Sequence, residues 1–204
     1  MSERYPSDVA FTSTVKSIQE RKGSRQSYAR MEENAGWQTT ITPDLAEFLA
    51  VRDSIYLATA NAEGQPYIQH RGGKVGFVKV LDEKTLGLAD FIGNRQYISQ
   101  GNLIENPKAC IFAMDYPNRR RIKIWGTARI VEGDDQLLER LTDQDYKGRP
   151  EQAICFDIVA WDINCPQHIT PRFTEAEVTE LVAPLHARIA ELEAQLTRIR
   201  NDRT

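Results

Sequence analysis

Phe91-Ile-Gly-Asn-Arg-Gln-Tyr-Ile-Ser-Gln-Gly-Asn-Leu-Ile-Glu-Asn-Pro107 leads through an apolar run into Asn118-Arg-Arg-Arg-Ile-Lys-Ile-Trp-Gly126. A polar turn opens a short helix, an apolar strand follows, and a second strand carries Arg121, Lys123 and Trp125 at alternate positions. Alternate residues share one face of a strand, which leaves Ile122 and Ile124 on the other. Two cations beside a ring outline a wall suited to an aromatic anion. The turn Gly93-Asn94-Arg95-Gln96 adds a second feature of the same kind. Backbone N–H groups at a helix N-terminus are unpaired and attract anions. Arg95 contributes a planar fork that fits phosphate, and Ser99 a hydroxyl one turn on.

Working outward, Thr42-Pro43 reads as a helix start, with Thr as the cap and Pro in the first turn. Leu45, Phe48 and Leu49 repeat at helical spacing to about Val51. Strands are expected over Ser54–Ala60 and from Pro66 to His70, joined by a turn at Asn61–Gly64. Gly72-Gly73 marks either a bulge or a close backbone approach. Further strands are expected over Gly76–Leu81, Thr85–Ala89, Lys108–Met114, Arg120–Val131 and Ala153–Trp161. Asn94 is expected to cap a helix over Arg95–Glu105, and a second helix covers Asp134–Leu141. Six or seven short strands joined mostly by hairpins predict a closed antiparallel barrel. No long crossover helices alternate with them, and no GxGxxG turn supports a dinucleotide site.

The ends differ from the middle. Residues 1–40 are polar and irregular, with short amphipathic pieces such as Val15–Ile18. They either wrap the barrel or a partner subunit, or are partly disordered. Thr174-Glu-Ala-Glu177 is a capping box. Beyond it, Leu185, Ile189, Leu192, Leu196 and Ile199 form a heptad seam of about two repeats, with Pro184 near its start. This helix packs on its own barrel or on a partner. The organisation is thus an N-terminal extension (1–40), a barrel domain (41–173) and a C-terminal heptad helix (174–204).

Composition narrows the function. The 204 residues are 41% hydrophobic and 27% charged, with a net charge of −3, so nothing draws the whole chain to nucleic acid. No apolar run reaches the roughly 20 residues that span a bilayer. The polar start, with Pro6, does not read as a secretory signal. Cys110, Cys155 and Cys165 are odd in number and widely spaced, as expected for reduced thiols in a cytoplasm. Cys165-x-x-His168 offers only two ligands, so no metal site is expected.

The order and spacing from Leu49 to Trp161 resemble the pyridoxamine 5'-phosphate oxidase-like family of FMN-binding split barrels. That resemblance implies a mostly β fold with peripheral helices. In that family a Ser-Arg-Lys turn holds the FMN phosphate, and here Asn94, Arg95 and Gln96 stand in its place. The family's Arg-Gln-Val-x-Val-x-Gly strand matches Arg120–Gly126, with Arg121 where a Gln contacts the flavin. Arg71 and Gly72 fall where a strand runs along the isoalloxazine ring. The cofactor-binding set is therefore Arg71, Gly72, Asn94, Arg95, Gln96, Ser99, Arg121 and Lys123. Asn164, Gln167 and His168 form a polar segment on the substrate side.

True oxidases end in an Arg-Leu-x-x-Arg segment that binds pyridoxal phosphate. This chain lacks it, so vitamin B6 is not the expected substrate. The resemblance implies a homodimer with FMN between subunits and oxidoreductase chemistry on a small molecule. The alternatives are a non-catalytic flavin-binding sensor or storage protein, a split barrel for deazaflavin or haem (with His70 or His168 as ligand), and an assembly module with an empty barrel.

Overall fold

The computed structural model describes residues 5–34 and 36–201, so residues 1–4 of the N-terminal extension and 202–204 of the heptad segment lie outside the described residues. Two compact units are present. The first holds the described residues up to Asp115 together with Arg120–Pro166, and the second holds Tyr116–Arg119 and the residues from Gln167 onward.

The first unit is built on a seven-stranded sheet. Its strands are β1 (Ser54–Ala60), β2 (Pro66–Gly72), β3 (Lys79–Val80), β4 (Thr85–Phe91), β5 (Lys108–Asp115), β6 (Arg120–Val131) and β7 (Pro150–Ile163). All pairs are antiparallel, in the order β2-β1-β5-β6-β7-β4-β3. The ladder begins at β2 and ends at β3, so backbone pairing does not close. The closed barrel expected from the strand pattern is corrected, and the mostly β split barrel that the resemblance implies is borne out.

Period-two alternation puts Ile55, Leu57, Ile111, Ile122, Ile124, Ile154 and Phe156 in one buried core. Two helices close the ends. α3 (Pro43–Ala50) buries Leu45, Phe48 and Leu49, and its cap is the Thr42 hydroxyl, which accepts from the Leu45 N–H at 3.4 Å. α4 (Ile98–Glu105) buries Ser99, Asn102 and Leu103. A bulge falls between Trp125 and Gly126. There the backbone of β7 comes so close that a Cβ on Gly126 would lie 2.1 Å from the Asp157 carbonyl oxygen, so only glycine fits. Gly72 pairs regularly with Ser54, while Gly73 packs against Phe77, so the second of the two expected readings of that dipeptide holds. The expected third strand shrinks to two residues, because Phe77 and Val78 turn into the core instead of pairing.

Residues 5–34 form a 3₁₀ turn at Pro6–Val9 and two helices, α1 (Ser13–Lys22) and α2 (Arg25–Asn34). They are held by a polar core. Glu32 is buried, paired with Arg25, and accepts from the Ser7 hydroxyl at 2.8 Å. Breaking such a pair leaves an uncompensated buried charge, which is costly. The following arm bridges to the barrel, where Gln38 pairs with Trp161. Trp37 stacks flat on Trp125, with centroids 4.5 Å apart and planes 9° from parallel. Phe11 closes on the far side of Trp37 at 5.1 Å.

A short helix, α5 (Asp135–Leu141), buries Leu141 beside Ala89 and Ala153. The second unit is dominated by α6 (Glu175–Asn201), a helix of 27 residues. Its capping box forms as the sequence implies. The Thr174 N–H donates to Glu177 at 2.7 Å, and the Glu177 N–H donates back to the Thr174 hydroxyl at 3.2 Å. α6 starts well before Leu185 and carries Pro184 in its interior.

Candidate functional site

The site follows from the way the barrel is split. Ile55, Leu57 and Thr59 of β1 face inward, and their partners on β2 are Arg71, Gln69 and Tyr67. Those three β2 side chains therefore share the inner face but lie at the open edge. On the opposite side of the split, Leu86 and Leu88 of β4 face the core, and the next inward position is Asp90, opposite Gln152 of β7. Arg71 crosses the split and pairs with Asp90. Gln152 steadies that carboxylate from behind, its amide donating at 3.0 Å. Side chains join the two edges where the backbone does not.

A cavity of about 240 Å³ opens beside this pair. The turn 93–97 and the start of α4 form its other wall. Here the helix start expected at Asn94 is corrected. The Asn94 carboxamide oxygen accepts from the Gln96 N–H at 3.2 Å, which makes a local turn and not a helix cap. Arg95 and Tyr97 take left-handed φ of 57° and 55°, and α4 begins only at Ile98. Two such non-glycine residues cost on the order of 1 kcal/mol each or more, and strain of this kind gathers at binding sites. Ser99 faces the cavity at the first turn of α4, its hydroxyl donating to Gln69 at 2.8 Å. Tyr97 donates to Glu151 at 3.1 Å. Desolvation, with that carboxylate adding to it, holds the phenol above its ordinary pKa.

Of the expected cofactor residues, Arg71, Asn94, Arg95, Gln96 and Ser99 line this one cavity. Gly72 does not, for it sits on the other face of β2 beside the His70 imidazole. Arg121 and Lys123 are on the outer face of the sheet, opposite Met114 and Phe112 of β5. Lys123 also lies over the Trp125 ring at 5.7 Å and pairs in register with Asp162. Asn164 stays with Arg121, its N–H donating to the Arg121 carbonyl at 3.1 Å. Gln167 and His168 belong to the second unit.

The charge at the cavity departs from expectation in one respect. Arg71 is committed to Asp90, so Arg95 is the cation on its wall with no partner among the described residues. The Arg71 Nε is nevertheless buried with no hydrogen-bond partner, and so are the Arg121 Nε and the Asn164 Oδ1. Buried polar atoms seldom stay unpaired, and each such atom calls for a ligand, water or partner.

A family model described as pyridoxamine 5'-phosphate oxidase matches residues 41–165, more than half of the chain. The chain belongs to the pyridoxamine 5'-phosphate oxidase family. Solved structures agree on the fold. HupZ from Group A Streptococcus is 18% identical with a TM-score of 0.50, covering 65% of this chain and 99% of that one. A point variant of the same protein is 19% identical, also at 0.50, covering 61% and 99%. A putative pyridoxamine 5'-phosphate oxidase from Lactobacillus delbrueckii is 21% identical at 0.48, covering 61% and 95%. At such identity the likeness to HupZ is one of fold alone. No curated protein matches the chain.

Asp90, Tyr67, Gln69 and Gln152 were not singled out by sequence reasoning. The available signal was positional. Each is a polar residue at a strand position whose same-face neighbours are apolar core residues or their direct partners. Reading them requires knowing which strands flank the split. Among the described residues no helix is long and apolar enough to cross a membrane. No group of three or more potential metal ligands converges there either.

Proposed function

We propose that this chain is an FMN-binding flavoprotein that works as a homodimeric oxidoreductase on a small molecule. The carrying observation is the cavity at the split, where Arg95 has no partner among the described residues and the N-terminus of α4 opens, in a member of this family. These residues fit the phosphate end of a flavin nucleotide. Arg95 offers a bidentate fork and the first turn of α4 a partial positive charge, and the Ser99 hydroxyl would serve once its proton leaves Gln69. The orphaned Arg71 Nε fits a polar edge nearby.

The volume supports a shared site. About 240 Å³ is less than the roughly 300–1,000 Å³ of ordinary ligand pockets, so one chain supplies only part of the enclosure. Arg121 and Lys123, on the outer face, would reach a ligand in this cavity from a second copy.

When bound, the flavin supplies the electron chemistry. The residues of the chain have other tasks. Arg95 and Ser99 would hold the phosphate, and Arg71, fixed by Asp90, would bind the ring. The wall of Tyr67 and Phe91 limits water at the site. Haem is less well served, since His70 points to the outer face beside Tyr56 and away from the cavity. The three free cysteines favour a reducing compartment such as the cytoplasm.

The test is the visible spectrum of the purified protein, with release and identification of its chromophore. A yellow protein that releases FMN, and whose colour bleaches with NADH or NADPH and returns in air, is the expected result. FMN binding with no turnover by any donor would leave the non-catalytic alternative. A colourless protein that takes up no added FMN would end the flavin reading.

A further inference from the structure

α6 has an apolar seam and no interior. None of its residues is buried, and Leu185, Ile189 and Leu192 are 63%, 52% and 42% exposed. Once the helix is seen to start at Glu175, the seam is longer than its C-terminal part suggests. Val178, Leu185, Leu192 and Ile199 recur every seven residues. Val182, Ile189 and Leu196 sit four residues after the first three. The first set occupies the d positions of a heptad, and the second the a positions. Pro184 falls at a c position, off the seam.

We propose that α6 pairs with α6 of a second copy of this chain as a parallel, in-register, two-stranded coiled coil. Three features favour that occupant over any other. β-Branched residues at a (Val182 and Ile189) with Leu at d (Leu185 and Leu192) favour two strands in the central layers, while Leu196 at a and Ile199 at d in the last layer do not. The period of seven, held throughout, matches a partner of the same period. Charge also selects the parallel direction. In a parallel pair each g residue meets the e residue five places on in the partner. Arg188 is at g and Glu193 at e, so each interface gains two opposite-charge pairs. Within one chain Arg188 rests on Glu191 at 2.5 Å, an exposed pair that yields readily. The inference does not depend on a bound flavin.

The experiment uses the full chain with Cys165→Ser, which removes the exposed native thiol. Val182→Cys is added in one variant, and Ala187→Cys, on the outer face of α6, in another. After mild oxidation, non-reducing electrophoresis should show most of the Val182→Cys protein as a disulfide-linked dimer and little of the Ala187→Cys protein. An antiparallel pair with overlapping seams would hold the two introduced thiols of Val182→Cys about 15 Å or more apart, beyond disulfide reach. Failure of Val182→Cys to cross-link, or equal cross-linking by both, overturns the proposal, even in a protein that binds FMN and is dimeric through its sheet. A second arm uses charge. Arg188→Glu should weaken self-association by about tenfold in sedimentation, and adding Glu193→Arg should restore it. A double variant no tighter than the single one overturns the parallel pairing.

Discussion

A strand of the sheet and the turn that follows another strand each set a cation two residues before an aromatic residue, and they end differently. On the outer face of β6, Lys123 lies over Trp125, but the chain itself fills the ring's free face by stacking Trp37 on it. At the split, Arg95 and Tyr97 line a cavity wall, and Arg95 has no partner among the described residues. Residue type and spacing are alike in the two places. What separates a site from a packed surface is whether the chain supplies the partner. Arg71 lies between these cases, since it is paired with Asp90 yet keeps a buried N–H unsatisfied.

The comparison breaks first at Trp37. It is buried between Trp125 and Phe11. Trp37→Ala should cost about 3–5 kcal/mol of unfolding free energy, read by chemical denaturation. A loss under about 1 kcal/mol would mean that the stack is a surface contact, open to replacement by a ligand.

The next effect is on cofactor. Arg95→Ala should weaken FMN binding by about 1.5–3 kcal/mol, the worth of a charge-assisted hydrogen bond, in a flavin titration. Arg121→Ala should lower it less, because on the proposed reading that residue would reach the flavin only from a second copy. The reverse order would move the anion site from the turn to β6.

Cys110 gives a finer probe. It lies opposite Trp125 in the ladder, so both side chains share the outer face. Burial pushes its thiol up to about 11. At pH 8 a thiol reagent should label Cys165 well before Cys110, by mass spectrometry of digests. Trp37→Ala should speed labelling of Cys110 if the arm is what shields it, and an unchanged rate would assign the shielding to the sheet.

The smallest effect belongs to Asp162. Burial raises its carboxyl above the ordinary range, against partial offsets from the Ile163 N–H and then from Lys123. The folded state then holds the proton more tightly than the unfolded chain, so ionised Asp162 costs stability at neutral pH, and that cost fades as pH falls through the carboxylate range. Asp162→Asn should therefore be slightly stabilising at pH 7 and close to neutral near pH 3. A variant less stable at pH 7 would show that the cross-strand pair with Lys123 outweighs burial.

The legible parts of the fold were those governed by one local rule. β6 was readable to its ends because strict alternation runs from Arg120 to Val131. α3 was readable because Thr42 and Pro43 mark its start. The turn at Asn94 misled because an Asn before a helical run can cap the helix or close a turn on its own backbone, and here it does the latter. α1 and α2 escaped notice because they bury Gln19 and Glu32 and not an apolar stripe. Their stability comes from partners distant in sequence, such as Ser7 and Glu32. The site was half legible for a similar reason. Arg95 and Ser99 belong to a local motif, whereas Asp90 and Gln152 gain meaning only from the strand order.

The join between β2 and β4 has a mechanical consequence. Every other seam of the barrel is a ladder of backbone hydrogen bonds, indifferent to salt. This one is an Arg71–Asp90 latch backed by a single amide, so it rests on side chains and not on backbone pairing. The wall of the cavity can thus part along a line where no strand pairing must break. The barrel has one elastic edge, and the candidate site lies along it.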